Sequence, residues 1–446
     1  MKNTFNYRLW GTALGAGLGG ILFGFDVSVI AGTNSLMQEE FALTSVALAT
    51  TVTSAFVGTL IGILLSGFSS KKFGRRDSLK GAALFFLLSA IGCGIAWDWY
   101  SLVLFRIVGG LGVGAAAVMG PMYIAEIAPK EHRGRLVCFY QFSIVFGILL
   151  AYISNAVFGQ LGWPSALEWR MKFACEAIPA LAFFVALYFI PRSPRWLISR
   201  GLTAEARDTL HYLGASEVHS QLTDITASID EQSKNQQESL FQRKYFKPLI
   251  LAFAVGLFNN LAGINGILYY INTIFENAGF SKTSSDLQSV TIGLTNLIFT
   301  VLAMFLIDRL GRKKLLMIGS VGLAPILFAI AGIFYFDAYK SQLLLLLICY
   351  IAFFAFSQGA VIWVYISEIF PNSIREKGLA LGSFFAWTMG TVVAWIFPVL
   401  TALSPALPFV VFGMSMILQL IIVALVFPET KGVSLEEIAH KLGLSL

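Results

Sequence analysis

A seven-residue stretch occurs twice in this sequence, as YIAEIAP at residues 123–129 and as YISEIFP at residues 365–371. The two copies are 242 positions apart (365 minus 123). Each copy contains a glutamate, Glu126 or Glu368, at the end of an apolar run, and an arginine follows that glutamate seven residues later. The sequence therefore contains the same combination of an apolar run, a glutamate and a following arginine twice.

Two further matches extend the repeat. FGRR, which contains Gly74, matches LGRK, which contains Gly311, at a shift of 237 (311 minus 74). PRSPRWL begins at Pro191, and PETKG begins 237 positions later at Pro428. Three features in the same order and at similar spacing predict two similar halves that run in parallel along the chain. Parallel repeats of this kind, with a substrate site near the midplane between them, are typical of alternating-access carriers.

The composition of the chain places it in a membrane. Of its 446 residues 57% are hydrophobic and 13% are charged, and the mean hydropathy is +0.75, whereas soluble domains carry about 25% charged residues. A spanning helix needs roughly 20 mostly apolar residues. Strand periodicity is absent, so we predict an all-α membrane protein with twelve transmembrane helices in two parallel six-helix repeats. The predicted spans are centred near Leu18, Gly58, Leu88, Gly112, Gly147, Phe183, Phe258, Leu297, Leu327, Phe354, Met389 and Leu418.

Lysine and arginine collect after the even-numbered spans, as Arg75 does after the second. The positive-inside rule places these ends, and therefore both termini, in the cytoplasm. The net charge of +6 then needs no nucleic-acid partner to explain it. We predict four parts: an N-terminal six-helix half at residues 1–199, a cytoplasmic linker with short helices at 200–247, a C-terminal six-helix half at 248–431, and a cytoplasmic tail at 432–446.

Uncharged amides inside several spans predict a cavity for a polar substrate. In span seven, Gly256, Asn259, Asn260 and Gly263 fall on one helical face, and a break at Gly263 would expose backbone groups. Sugar hydroxyls need amides that both donate and accept, and the C–H face of a sugar ring packs on an aromatic side chain. The alternative is that the amides only bond across helices. The other candidates are Gln141, Asn265, Asn296, Trp363 and Trp387.

Asp26 is an acid inside the first apolar span, and Arg106 in span four is its expected partner. Charges within a membrane are costly, and they are usually paired and functional. Burial favours the neutral carboxyl group and the arginine favours the carboxylate, so a change in their separation can switch protonation. The alternative is a structural pair that only joins span one to span four.

The repeated charges at the cytoplasmic ends predict ion pairs that hold the halves together while the carrier faces outward. The alternative is that these side chains are solvated helix ends that set topology. The predicted gate residues are Arg75, Glu126, Arg133, Arg312, Glu368, Arg375 and Glu429.

The ordered set of motifs resembles the sugar porter family of the major facilitator superfamily along nearly the whole chain. The motifs are GRR at 74–76, PMYIAEIAPKEHRGRL from Pro121, PRSPRWL, GINGILYY from Gly263, DRLGRK from Asp308, WVYISEIFPNSIR from Trp363 and PETKG. The resemblance implies that Gln141, Asn265, Asn296 and Trp363 contact sugar and that Tyr269 lies near the site. It also favours a proton switch at Asp26, because proton-coupled members carry an aspartate at this position.

Three departures from the family pattern concern the site. Asn259 and Asn260 stand where relatives usually have two glutamines, and Ala386, just before Trp387, stands where relatives carry an amide. We therefore predict a roomier or wetter pocket with fewer direct bonds, and a hexose as an alternative to D-xylose. Arg192 replaces the glutamate usual in PESPR, which argues against complete symmetry of the two charge clusters.

The sequence predicts a secondary active transporter, not an enzyme. It imports a monosaccharide, a pentose or hexose such as D-xylose or a D-glucose-like sugar, together with a proton. The alternatives are a facilitator without proton coupling, a drug exporter of the same superfamily and a non-transporting sugar receptor. We expect no cofactor and no metal site, contacts with membrane lipid, a monomer, and a location in the bacterial cytoplasmic membrane.

Overall fold

A computed structural model of the chain describes residues 7–129, 132–215, 217–235, 239–371, 374–433 and 438. Of these residues 85% are helical, and none of them lies in a strand. The predicted tail at 432–446 lies outside the described residues except for positions 432, 433 and 438.

The first eleven helices run from the first span to the polar segment in the middle of the chain. They are α1 (Tyr7–Val29), α2 (Asn34–Glu40), α3 (Ser45–Phe73), α4 (Arg75–Gly94), α5 (Trp99–Ile127), α6 (Arg133–Gln160), α7 (Ser165–Ala174), α8 (Ala177–Phe189), α9 (Pro194–Ser199), α10 (Thr203–Tyr212) and α11 (Val218–Asn235).

Nine helices follow. They are α12 (Phe246–Leu261), α13 (Ile264–Tyr269), α14 (Ile271–Asn277), α15 (Lys282–Leu310), α16 (Arg312–Phe336), α17 (Leu343–Phe356), α18 (Gln358–Glu368), α19 (Arg375–Leu403) and α20 (Leu407–Val426). Short 3₁₀ turns occupy Ile30–Gly32, Arg243–Tyr245 and Lys340–Gln342.

Within the described residues, twelve helical segments are long and apolar enough to cross a membrane. Each predicted centre lies in one of them, so the predicted number and order of spans are confirmed. Span one is α1, spans two to five are α3 to α6, and span six is α7 with α8. Span seven is α12 with α13, spans eight and nine are α15 and α16, span ten is α17 with α18, and spans eleven and twelve are α19 and α20.

Local sequence explains where several helices begin. Gly74 and Gly311 precede α4 and α16 with φ of 84° and 92° and extended ψ, a conformation open almost only to glycine. At the start of α5, the Asp98 side chain accepts a hydrogen bond from the Ser101 N–H, and the Ser101 hydroxyl interacts with the Asp98 N–H in return. Hydrogen bonding of the carboxylate by the backbone N–H of Ser101, and then by the Ser101 side chain, lowers the pKa of the Asp98 carboxyl group.

The described residues form two compact units. The first contains Ser54–Ala151, Leu167–Gln236 and the chain up to Val29. In this unit α4 packs on α5 and α8, and α1 packs on α5 and α8. Beside the spans, the short helices α9 to α11 share a small apolar core of Trp196, Leu197, Ala206, Leu210 and Leu222.

Helices α3 and α5 touch backbone to backbone along a row that we call the glycine seam. A methyl group at any of its glycines would overlap or press on a backbone carbonyl oxygen of the facing helix. The spacing of four residues on both helices is the small-xxx-small pattern of closely packed membrane helices. The glycine seam consists of Gly58, Gly62, Gly110 and Gly114.

The second unit contains Ile30–Thr53, Tyr152–Ala166 and Gln237–Leu446. Here α12 packs on α19, α16 on α17 and α20, and α15 on α17. The short segments from the first half of the chain join this unit through hydrogen bonds to the span-seven region. Asn34 Nδ2 donates to Tyr269 O at 2.8 Å, and the Tyr152 hydroxyl donates to Leu268 O at 2.8 Å.

Three spans are interrupted. The break predicted at Gly263 is confirmed, because α12 ends at Leu261 and Gly263 adopts φ of 93° before α13. Span six breaks between α7 and α8, at Cys175 and Glu176. Span ten breaks at Ser357, where φ is −117° and ψ is −82°.

Candidate functional site

The structure brings Asp26 and Arg106 together inside the first unit. Arg106 Nη1 donates to Asp26 Oδ1 at 2.8 Å and to Asp26 O at 3.2 Å. Asp26 is fully buried, Arg106 is 1% exposed, and the Phe173 ring lies 5.4 Å from the guanidinium carbon. This is an ion pair inside a membrane-spanning bundle, where solvent does not screen it.

The hydrogen bonding of this pair is incomplete. Within the described residues, Asp26 Oδ2 and Arg106 Nε have no hydrogen-bond partner. A carboxylate with one oxygen unbonded is poorly stabilised at such a depth. The pair therefore has a site at which a proton can be held, on an acid that already has a cationic neighbour.

Sequence reasoning missed a second buried acid, Glu176, at the break in span six. Glu176 is 1% exposed, and the charges of Asp26 and Arg106 both act on it. Its Oε1 has no hydrogen-bond partner among the described residues. Two acids beside one arginine cannot both be charged without a net buried charge, which is costly. The signal was present in the sequence, because Glu176 precedes an apolar run just as Asp26 lies within one.

The amides of span seven lie in the second unit, where they bind the protein's own backbone. Asn259 is buried in α12, and its Nδ2 donates to the carbonyl oxygen of Gln358 at 3.0 Å. Gln358 begins α18, directly after the break at Ser357, and its side chain exchanges two hydrogen bonds with Gln419. Asn259 thus braces the broken span ten.

Asn260 and Asn265 form a hydrogen-bonded pair across the break at Gly263. Asn260 Nδ2 donates to Gly256 O at 2.8 Å and to Ala386 O at 2.9 Å, and its Oδ1 accepts from Asn265 Nδ2 at 2.8 Å. Asn260 is 5% exposed, whereas Asn265 is half-buried. A Cβ at Gly256 would lie 3.3 Å from the Ala386 Cβ, so the small residue at 386 permits this close approach of α12 to α19.

The remaining predicted contact residues lie on several helices. Asn296 is buried in α15, and its Nδ2 forms no hydrogen bond within the described residues. Trp363 in α18 is 39% exposed, Trp387 in α19 is half-buried, and Tyr269 at the end of α13 is buried. Gln141 lies half-buried in α6 of the first unit. Their roles in binding remain predictions.

The first unit contains one of the two predicted charge clusters. Arg75 Nη2 lies 2.8 Å from Glu126 Oε1, and the Ser193 hydroxyl donates to the other oxygen of Glu126. The Tyr123 hydroxyl donates to Pro191 O at 2.6 Å. Within this unit, the GRR, YIAEIAP and PRSPRWL motifs are therefore in contact with one another.

The second unit repeats this arrangement with the matching residues. Arg312 binds both oxygens of Glu368, at 3.1 and 2.8 Å, and the Thr430 hydroxyl donates to Glu368 at 2.6 Å. The Tyr365 hydroxyl donates to Pro428 O at 3.3 Å. A two-pronged arginine–carboxylate contact is stronger and more directional than a single one.

The two clusters differ at one pair of positions. In the second unit, Glu429 Oε1 accepts hydrogen bonds from the backbone N–H of Arg312, Thr430 and Lys431 at 2.9–3.1 Å. At the position in the first unit that matches Glu429, Arg192 instead contacts Asp77 at 3.1 Å. The incomplete symmetry expected from Arg192 is therefore present.

Two predicted gate arginines are not part of either cluster. Among the described residues, neither Arg133, which is exposed, nor Arg375 forms an ion pair. Their gating role is still only a prediction.

Comparisons with known proteins agree on one family. The sequence matches the family described as sugar (and other) transporter over residues 12–442. It is 37% identical to the D-xylose-proton symporter of Escherichia coli, over 96% of this chain and 95% of that protein. It is 35% identical to the arabinose-proton symporter of Bacillus subtilis, over 95% and 92%. Two motifs, GFDVSVIAG from Gly24 and GRRDSLK from Gly74, already resemble the bacterial D-xylose–proton symporter.

A solved structure supports the same fold. The inward open conformation of the xylose transporter from E. coli matches with a TM-score of 0.87 and 36% identity, over 97% of this chain and 99% of that one. The chain is a multi-pass integral membrane protein with the major facilitator fold. It belongs to the sugar (and other) transporter family, whose members are transporters and not enzymes.

Proposed function

We propose that this protein imports a monosaccharide together with a proton by alternating access. The substrate class is a pentose or hexose, D-xylose or a D-glucose-like sugar. The similar symporters of xylose and arabinose support this class of substrate.

The buried pair of Asp26 and Arg106 is the observation that carries proton coupling. A permanent ion pair would be expected to satisfy both carboxylate oxygens, yet Asp26 Oδ2 has no partner among the described residues. A second acid, Glu176, is also buried within reach of the same charges. This cluster can hold a proton at one stage of the cycle and release it when the separation of the charges changes.

The sugar site that we propose includes the amides and aromatic side chains of the family pattern. Asn265 and Asn296 retain polar atoms that no described residue binds, and Trp363 offers a large aromatic surface. Gln141, which lies in the first unit, is a further proposed sugar contact. Asn259 and Asn260 support the site through the backbone contacts described above.

The proposal also includes the topology of the chain. We infer two halves at 1–199 and 248–431, joined by a cytoplasmic linker, in a bacterial cytoplasmic membrane with both termini inside. The positive-inside rule supports this orientation. The Arg75–Glu126 and Arg312–Glu368 pairs would serve as the cytoplasmic gate, and the protein would act as a monomer.

Uptake into proteoliposomes tests the function. Purified protein is reconstituted, a pH gradient is imposed with the outside acidic, and uptake of radiolabelled pentoses and hexoses is measured. We expect one or a few sugars to accumulate above their external concentration, and an ionophore that collapses the gradient to abolish accumulation. Uptake that only equilibrates would identify a facilitator, and binding without uptake would identify a receptor.

A further inference from the structure

We propose that Asn260 is a positioning residue that fixes the amide of Asn265, so that Asn265 presents its oxygen, and not its nitrogen, to the sugar. In this arrangement Asn265 accepts a hydrogen bond from one sugar hydroxyl. The inference rests on the proposed function, because it specifies how a sugar is recognised at that site.

The orientation of the Asn260 amide is fixed by two carbonyl groups. A side-chain amide has two N–H donors on one atom and an acceptor oxygen on the other. The atom that lies 2.8 Å from Gly256 O and 2.9 Å from Ala386 O must be the nitrogen, because a carbonyl oxygen can only accept. Asn260 Oδ1 is therefore the atom that faces Asn265.

The orientation of the Asn265 amide follows from this. Asn260 Oδ1 is an acceptor 2.8 Å from the Asn265 side chain, so Asn265 must turn its Nδ2 toward it. Within the described residues Asn265 Oδ1 accepts no hydrogen bond, and the residue is half-buried. Rotation of either amide by 180° would oppose two atoms of the same polarity and strand a buried group.

Gly390 leaves the space that this pair occupies. A Cβ at Gly390 would lie 2.6 Å from Asn265 Nδ2 and 2.9 Å from Asn260 Oδ1, too close for either atom to remain in place. Gly390 lies on α19 one turn after Ala386, whose carbonyl oxygen binds Asn260. One face of α19 therefore both orients Asn260 and accommodates its contact with Asn265.

Monofluorinated sugars measure which polarity Asn265 presents, because fluorine in place of a hydroxyl cannot donate a hydrogen bond. The probes are D-xylose, D-glucose and their analogues fluorinated at each hydroxyl in turn, with affinity measured by calorimetry on the purified full-length protein. We expect wild type to lose affinity roughly tenfold at one position, the typical effect of one lost hydrogen bond. The same position should show little loss in Asn260→Leu, in which the Asn265 amide is free to turn.

Two further variants complete the experiment. Asn277→Leu is the control: it removes an exposed amide at the end of α14 that has no part in the proposed site, so the fluorine penalty should stay as in wild type. Gly390→Ala displaces the pair without removing it and should also reduce the penalty, which keeps the test decisive if Asn260→Leu does not fold.

The possible failures are distinct. A wild-type protein that binds no sugar overturns the proposed function and this inference with it. Wild-type binding with an unchanged fluorine penalty in Asn260→Leu or Gly390→Ala overturns the inference alone. Loss of parent-sugar affinity without a change in the penalty would show a merely structural role for Asn260, which also contradicts it.

Discussion

At the scale of single residues, some buried amides form hydrogen bonds with the protein backbone, whereas others have a polar atom that no described residue binds. Asn259 and Asn260 are one methylene shorter than glutamine, and the side-chain nitrogen of each donates a hydrogen bond to a backbone carbonyl oxygen. Asn265 and Asn296 keep atoms that no described residue binds. In the proposed sugar site, Asn259 and Asn260 would therefore support the site through the backbone and leave fewer side chains for direct contacts with sugar.

The first prediction concerns sugar contact. Gln141→Ala and Asn265→Ala should each weaken sugar binding by about 1–3 kcal/mol, the usual cost of leaving a buried hydrogen-bonding group unpaired. Calorimetry on purified protein gives the measurement. Asn277→Ala is a suitable control because Asn277 is exposed at the end of α14. Affinity close to wild type in both test variants would remove these residues from the site.

The second prediction concerns proton coupling at Asp26. Asp26→Asn keeps the size and hydrogen bonding of the protonated acid but removes its charge, so the sugar-loaded protein can still reorient. Exchange of labelled for unlabelled sugar should survive, and accumulation driven by a pH gradient should vanish. The membrane potential supplies about 2.3 kcal/mol per charge per 100 mV to the cycle, which the variant can no longer use.

Asp98→Asn is the control for this experiment. It alters an acid at the start of α5, where asparagine is an equally good helix cap, so accumulation should be unchanged. An Asp26→Asn protein that still concentrates sugar would show that coupling resides elsewhere, and Glu176 would then be the next acid to test.

At the scale of elements, several buried polar side chains lie at or beside breaks in the membrane-spanning helices. Span seven breaks at Gly263, span ten at Ser357 and span six at Glu176. The break at Gly263 could be predicted, since a glycine in a polar stripe is a local signal. The break at Ser357 could not, because it depends on Asn259 and on the Gln358–Gln419 pair, which are far apart in sequence.

The same distinction holds for the charges. The Asp26–Arg106 pair could be predicted because a lone charge in an apolar span needs a partner. The contact of Glu429 with the backbone N–H of Arg312 could not be predicted, since the two residues are far apart in sequence and Arg312 follows Gly311, whose positive φ and extended ψ are open almost only to glycine.

The third prediction compares the two charge clusters. Glu429→Ala leaves three backbone N–H groups without their acceptor and should lower the free energy of unfolding by about 1–2 kcal/mol. Arg192→Ala removes the ion pair with Asp77, in which the arginine side chain is 39% exposed, and should lower the free energy of unfolding by less than about 1 kcal/mol. The apparent midpoint of thermal unfolding in detergent gives the comparison. Equal losses, or a larger loss for Arg192→Ala, would contradict the asymmetry.

At the scale of the whole molecule, the repeat of the sequence reappears as two clusters of the same design. Arg75, Glu126 and Ser193 in one unit correspond to Arg312, Glu368 and Thr430 in the other. Repetition explains why two similar halves could be predicted from the motifs, whereas the number of spans followed from hydropathy.

The fourth prediction concerns orientation in the membrane. In a Cys138→Ser background, which removes the exposed native cysteine, Thr283→Cys should react with a membrane-impermeant maleimide on intact cells. Ser239→Cys, in the linker, should react only after the membrane is permeabilised, because lysine and arginine keep the linker side in the cytoplasm. The opposite labelling pattern would reverse the proposed topology.

The glycine seam between α3 and α5 has a consequence for how this gene can change. Any residue that replaces glycine is larger, and along the seam even one methyl group meets a backbone oxygen. Gly67 and Gly81 have open space where a Cβ would lie, so other residues can replace them. Inherited variation in this part of the gene should therefore spare Gly58, Gly62, Gly110 and Gly114 while it accumulates at Gly67 in α3 and Gly81 in α4.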